Sequence, residues 1–149
     1  MVSSRMLALS LALLSAACQP GVDSPEKPSV PDEAAGGVWS GIGPEEVLHF
    51  VGTEPFWGGT VGLGTLRWET PENPGGTDIV VERFAGRGGL GFSGTLDDGA
   101  LEMAVSRGRC SDGMSDRSYP FVVTVRHAGQ TLRGCGWTDA QRFSGPEAP

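Results

Sequence analysis

The chain has 149 residues, with 18 acidic residues against 11 lysines and arginines and a formal net charge of −7. That length holds one small hydrophobic core and a tail or two, and leaves no room for a second core. The negative balance argues against nucleic acid as the main partner, because phosphate binding needs a basic patch; 24 glycines without a period of three exclude a collagen-like chain.

Residues 1–17 read as an export signal. Arg5 supplies the positive start, and Met6 to Ala17 is an apolar run well short of the roughly 20 residues a membrane span needs. Ser15-Ala16-Ala17 and then Cys18 resemble the bacterial lipobox, in which the cysteine thiol is diacylated and becomes the first residue of the mature protein. Ser15 stands where the pattern has an aliphatic residue, and Leu14 lies one step earlier. The alternative is an ordinary secretory signal with a free Cys18. The lipobox resemblance implies a bacterial envelope protein that faces the periplasm and has the membrane as partner through a lipid on Cys18. Gln19, in place of an aspartate after the cysteine, points to the outer rather than the inner membrane. Residues 18–44 read as the lipidated N-terminus and a tether, punctuated by Pro20, Pro25, Pro28, Pro31 and Pro44; such a segment is extended, at roughly 3 Å per residue.

An exported chain meets an oxidising compartment. With Cys18 in the lipobox, Cys110 and Cys135 remain, and they allow one pairing. That disulfide closes a loop of about 26 residues and contributes roughly 3 kcal/mol. A redox or metal thiol pair is the alternative, but no C-x-x-C spacing supports it.

From Glu45 to about residue 145 the pattern changes to short runs split by glycine. Eight candidate strands are legible: Glu45–Val51, Trp57–Leu63, Leu66–Thr70, Thr77–Phe84, Leu90–Leu96, Leu101–Arg107, Tyr119–His127 and Thr131–Trp137. Several alternate with period two. Leu101, Met103 and Val105 share one face, as do Phe121, Val123 and Val125, while Glu102, Ser106, Thr124 and Arg126 take the other. Asp97-Asp98-Gly99 and Ala128-Gly129-Gln130 are hairpin connectors. No segment offers ten residues of helical period free of glycine and proline. A meander of this kind hides its edges by closing or stacking. The expectation is an all-β domain, a small antiparallel barrel of about eight strands, with a two-sheet sandwich as the alternative. Glycines inside the runs, such as Gly58, Gly59, Gly91 and Gly94, are read as bends at barrel corners.

Two stretches stand apart from generic strand sequence. One is Gly52-Thr53-Glu54-Pro55-Phe56-Trp57. The other runs from Cys110-Ser111-Asp112-Gly113-Met114-Ser115-Asp116 through Tyr119-Pro120 and closes with Gly134-Cys135-Gly136. Together they resemble an uncharacterised family of bacterial envelope lipoproteins that pair an E-P-F-W segment with a C-S-D-G-M-S-D loop and a G-C close. Members occur near, or fused to, META-type and lysozyme-inhibitor-type β-domains. The resemblance covers about Val47 to Gly136, with Thr53 where the family has asparagine. It implies an envelope lipoprotein with a small β-fold, and it implies no reaction.

Read physically, the second motif is a loop between two strands, and a Cys110–Cys135 bond staples its base to the last strand. Asp112-Gly113 is a turn pair, and Ser115 and Asp116 have side chains that bond nearby backbone N–H groups. Met114 either caps the core or stands exposed as a flexible apolar contact. In the first motif, Glu54 beside Phe56 and Trp57 fits a barrel mouth that holds a polar or cationic group; alternatively the two rings fill the barrel floor and Glu54 caps a turn. The candidate binding residues are therefore Glu54, Phe56, Trp57, Asp112, Met114, Ser115, Asp116 and Tyr119.

Catalytic and cofactor patterns fail on inspection. Gly86 to Gly91 fits G-x-G-x-x-G, but a period-two strand follows where a dinucleotide site needs a helix. No nucleophile elbow occurs. His49 and His127 fall in strands without neighbouring metal ligands and read as surface or rim residues. No cofactor, metal or catalytic set is assigned. The expected function is a lipid-anchored, non-catalytic binding module for a small ligand or partner protein of the envelope, lysozyme-inhibitor-like action being one version. A structural or stress-response lipoprotein without ligand is the alternative, and a hydrolase using Glu54 or Asp112 is the third reading.

Overall fold

A computed structural model describes residues 37–146. The export signal, Cys18 and the tether up to residue 36 lie outside the described residues. Eight strands follow one another: β1 (Leu48–Thr53), β2 (Phe56–Gly62), β3 (Thr65–Thr70), β4 (Asn73–Ala85), β5 (Leu90–Leu96), β6 (Gly99–Cys110), β7 (Tyr119–His127) and β8 (Gln130–Thr138). Each pairs antiparallel with the next, and β8 returns to β1, so the sheet is a single closed barrel rather than a sandwich.

Alternation builds the interior. Leu48 and Phe50 from β1 face inward with Val61 of β2, Leu66 of β3, Leu101 of β6 and Phe121 of β7, each at most 1% exposed. These side chains fill the middle of the barrel, as expected for eight strands. Two turns fix much of the register. Leu63–Gly64 and Ala128–Gly129 are two-residue hairpin loops in which both residues have positive φ, 52° and 79° in the first, 48° and 74° in the second. This is the type I′ geometry, whose twist matches the strands it joins.

Three features go beyond the sequence reading. First, Trp39 and Ile42, read with the tether, are 6% and 3% exposed and belong to the core. Trp39 sets its ring edge against Phe121, with centroids 6.2 Å apart. Second, β4 begins at Asn73, four residues before the expected Thr77, and includes Pro74-Gly75-Gly76. Third, β6 runs on to Cys110 through a register shift after Arg107. The extra residues deliver Cys110 to the base of the loop that precedes β7.

Candidate functional site

The site lies on the outside of the barrel. Phe50 and Gly136 are paired and inward, so their neighbours Val51 and Cys135, paired with each other, face outward. Val51 continues into a cross-strand row with Gly58 and Glu69. Cys135, 1% exposed, is covered by the loop 111–118, which the Cys110–Cys135 disulfide fastens to this face with a Cα–Cα distance of 5.5 Å.

Asp112 organises that loop. Its Oδ1 accepts the backbone N–H groups of Met114 (3.0 Å) and Ser115 (2.8 Å). Its Oδ2 accepts the hydroxyls of Ser115 (2.7 Å) and Tyr119 (3.0 Å). Partial burial pushes the carboxyl's pKa up, but these four donors outweigh it and hold the group at about 2. The Thr53 hydroxyl donates to the carbonyl oxygen of Asp112 at 3.0 Å, which joins the first motif to the second. Tyr119 is anchored at its ring as well, against Trp137 and Phe143, both at 5.5 Å.

Between this loop, the outer face of β1–β3 and the β3–β4 turn opens a cleft of about 490 Å³. Val51, Gly58 and Glu69 form its floor. Phe56 (54% exposed) and Met114 (69% exposed) stand on it, with Pro71 and Pro74 at the turn. Of the expected binding residues, Phe56, Trp57, Asp112, Met114, Ser115 and Tyr119 line this one cleft. Glu54 does not; it sits in the β1–β2 turn and borders a separate opening at the barrel end with Glu72, Asp98 and His127. Asp116 is exposed and outside the cleft. The carboxylate beside two aromatics is thus kept together at the barrel end, where Glu54, Phe56 and Trp57 border the same opening, while Phe56 and Trp57 also reach the cleft.

Trp57 is 5% exposed and stacks on Trp68 at 5.3 Å, 17° from parallel. Its indole lies over two glycines. A Cβ on Gly52 would fall 2.2 Å from the indole Nε1 and Cε2, and one on Gly134 would fall 2.8 Å from Cζ2. Among the described residues, the buried indole N–H has no hydrogen-bond partner.

Sequence reading missed Glu69, Arg117 and the two prolines of the cleft. Glu69 was legible in principle: the Leu63–Gly64 turn pairs Gly62 with Thr65, and counting back along the hairpin places Glu69 beside Gly58. Arg117 and Pro74 arrive through the loop and the β4 extension, which no local pattern encodes. His127, read as a rim residue, sits at the barrel end but with only 10% of its side chain exposed, its Nε2 2.9 Å from Asp98 and its Nδ1 3.1 Å from the Ala100 carbonyl. No group of three or more His, Cys, Asp or Glu side chains is placed to hold a metal ion among the described residues. Comparison of the chain with family models, curated proteins and solved structures found no match.

Proposed function

We propose that the chain is a lipid-anchored envelope protein whose barrel is a non-catalytic binding module, with the outer-face cleft as the site for a small, largely apolar ligand. The convergence of the two motifs on one cleft carries this reading. They lie 59 residues apart where Thr53 meets Asp112, and they present Phe56 and Met114, two large apolar side chains left exposed, to the same space. Exposed apolar groups gathered in a concave site favour binding, and the volume falls in the range of about 300–1,000 Å³ common for small-ligand pockets. The carboxylate best placed for acid–base work, Asp112, is occupied by four donors of its own loop. That weighs against the hydrolase reading, which needs a second titrating partner within reach.

Native mass spectrometry of the full chain, gently released from membranes, tests the site. The expected result is an adduct that leaves on denaturation and is lost in the double variant Phe56→Ser, Met114→Ser. A bare mass for the parent, or an adduct that survives in the variant, overturns the small-ligand reading. The anchor is tested apart from it: Cys18→Ala is expected in the soluble fraction, and pelleting with membranes after a high-salt wash counts against the lipobox.

A further inference from the structure

The barrel carries a further depression, apart from the cleft and from the barrel-end opening. β4 changes partner in mid-strand. On one side its ladder with β3 ends at Thr65↔Val80, and on the other its ladder with β5 starts at Val81↔Gly94. On the β3 side the pairing reaches Val81, whose backbone N–H donates to the Gly64 carbonyl oxygen at 2.9 Å, whereas on the β5 side Asn73–Val80 has no strand partner among the described residues. Gly94 marks the crossing: a Cβ there would lie 2.8 Å from Val81 Cγ1 and 2.9 Å from the Val80 carbonyl oxygen, so the strands touch at this point, and no pairing between them continues past it.

The chain's own segment before β1 meets the end of β4, with one backbone bond just past the strand and one from a side chain. The Trp39 N–H donates to the Gly86 carbonyl at 2.8 Å, and the Arg83 guanidinium donates to the Ile42 carbonyl at 2.9 Å. Along the first half, no strand among the described residues lies on the β5 side of Asn73–Val80. Where the open edge meets the β4–β5 ladder, a seam of about 560 Å³ is lined by Ile79 and Val80 of the open edge, by the last paired rungs Val81–Gly94 and Glu82–Ser93, and by Thr95. Val80 on its lip is 83% exposed.

We propose that this seam is a strand-addition site, and that its occupant is an extended polypeptide segment with alternating basic and apolar side chains. An open strand edge presents backbone donors and acceptors that another strand satisfies. Pro74 has no N–H, and the two glycines after it weaken a ladder, so pairing is confined to Thr77–Val80, a stretch of about 13 Å. Val80 supplies the apolar contact. Charge selects the partner. Asp78 is already paired with Arg67 through two hydrogen bonds of 2.8 and 3.1 Å, whereas the exposed Glu82 borders the seam, and the chain as a whole carries −7. The same charge disfavours a second copy of this chain as occupant.

Amide hydrogen exchange on the full chain tests the proposal, with an acetylated octapeptide alternating lysine and valine as probe. Added protection is expected at Thr77–Val80 and Thr95. It is expected to vanish for the same peptide N-methylated at alternate residues, which keeps the side chains and loses the ladder. Val80→Lys changes an exposed side chain, so the fold is kept, and the added like charge and lost apolar pair are expected to weaken binding about tenfold. Protection elsewhere only, equal protection by the N-methylated peptide, or equal binding of a glutamate–valine peptide overturns the proposal. So does seam protection that grows with protein concentration in the absence of peptide, which assigns the edge to a second copy.

Discussion

The Thr53 side chain donates to the Asp112 carbonyl oxygen at 3.0 Å, across 59 residues of chain. This bond and the Cys110–Cys135 disulfide both hold the start of the loop 111–118, one to β1 and the other to β8. The loop's start is thereby tied to two neighbouring strands, which fixes that part of the cleft wall. Thr53→Val keeps the β-branched shape and removes the donor. The expected loss is about 1 kcal/mol, the net value of one hydrogen bond, read as a lower denaturant midpoint with an unchanged slope. Thr53→Ser, which keeps the hydroxyl, is expected to retain most of the stability. Equal losses in both variants would mean that packing, and not the bond, holds the loop.

Trp57 explains why glycine stands at positions 52 and 134. The indole lies against both, and alanine at either brings a Cβ to 2.2 Å from a heavy atom: the indole itself at Gly52, the Val51 carbonyl oxygen at Gly134. Overpacking of this kind costs about 1–3 kcal/mol. Gly134→Ala is expected to be the worse, because a backbone atom gives way less readily than a ring. Gly88→Ala, with nothing within 4 Å of its Cβ, is the neutral control. Combining Gly52→Ala with Trp57→Leu is expected to be less damaging than the sum of the two, since the smaller side chain leaves room for the methyl group. Strict additivity of the unfolding free energies would count against the contact.

These two contacts mark where the sequence was readable and where it was not. Strands such as β5 and β7 were read to the residue, because Leu90, Phe92, Phe121, Val123 and Val125 alternate cleanly between inside and outside. The disulfide was readable because, with Cys18 read as part of a lipobox, the two remaining cysteines admit one pairing. Gly58, Gly59, Gly91 and Gly94 were read as bends, and Gly52 and Gly134 only as members of the two motifs. Gly94 does sit at a crossing of two strands, but Gly52 and Gly134 make room for a tryptophan brought from another strand, and no local pattern announces that. Trp39 was hidden for the opposite reason: prolines on both sides gave its segment the composition of a tether. The cleft was half readable. Its two motifs stood out as unlike strand sequence, whereas their meeting depends on the barrel closing β8 onto β1.

Acid is expected to loosen the loop before it unfolds the barrel. The Asp112 carboxyl has its pKa lowered from 3.8 to about 2. Burial opposes ionisation, and the Ser115, Met114 and Tyr119 donors override it. A group depressed in the folded state adds stability that is complete above the unfolded pKa and lost as pH falls through the folded one. The window therefore runs from about 4 down to about 2. Asp78, lowered by its bond to Arg67, titrates in the same direction but on exposed strands away from the loop. Amide exchange at Met114 and Ser115, followed from pH 5 downward, is expected to rise within that window while exchange in β7 stays slow. Asp112→Asn is expected to exchange fast at every pH and to flatten the profile; an unchanged acid profile in that variant would assign the transition to another group.

The segment before β1 is expected to be part of the folding unit. Trp39 is buried against Phe121, and its backbone N–H donates to the Gly86 carbonyl, so it closes the barrel end between the end of β4 and β7. Removing a buried tryptophan side chain costs about 3–5 kcal/mol, transfer and cavity together. That is a large fraction of the roughly 5–15 kcal/mol by which a domain is stable. Trp39→Ala is therefore expected to lower the midpoint of chemical denaturation steeply. Val38→Ala, one residue away at 70% exposure, is expected to leave it unchanged. A chain starting at Glu45 loses Trp39 and Ile42 together and is expected to be less stable than Trp39→Ala. If it instead unfolds at the midpoint of the full chain, the barrel is complete without these residues, and their burial adds nothing to its stability.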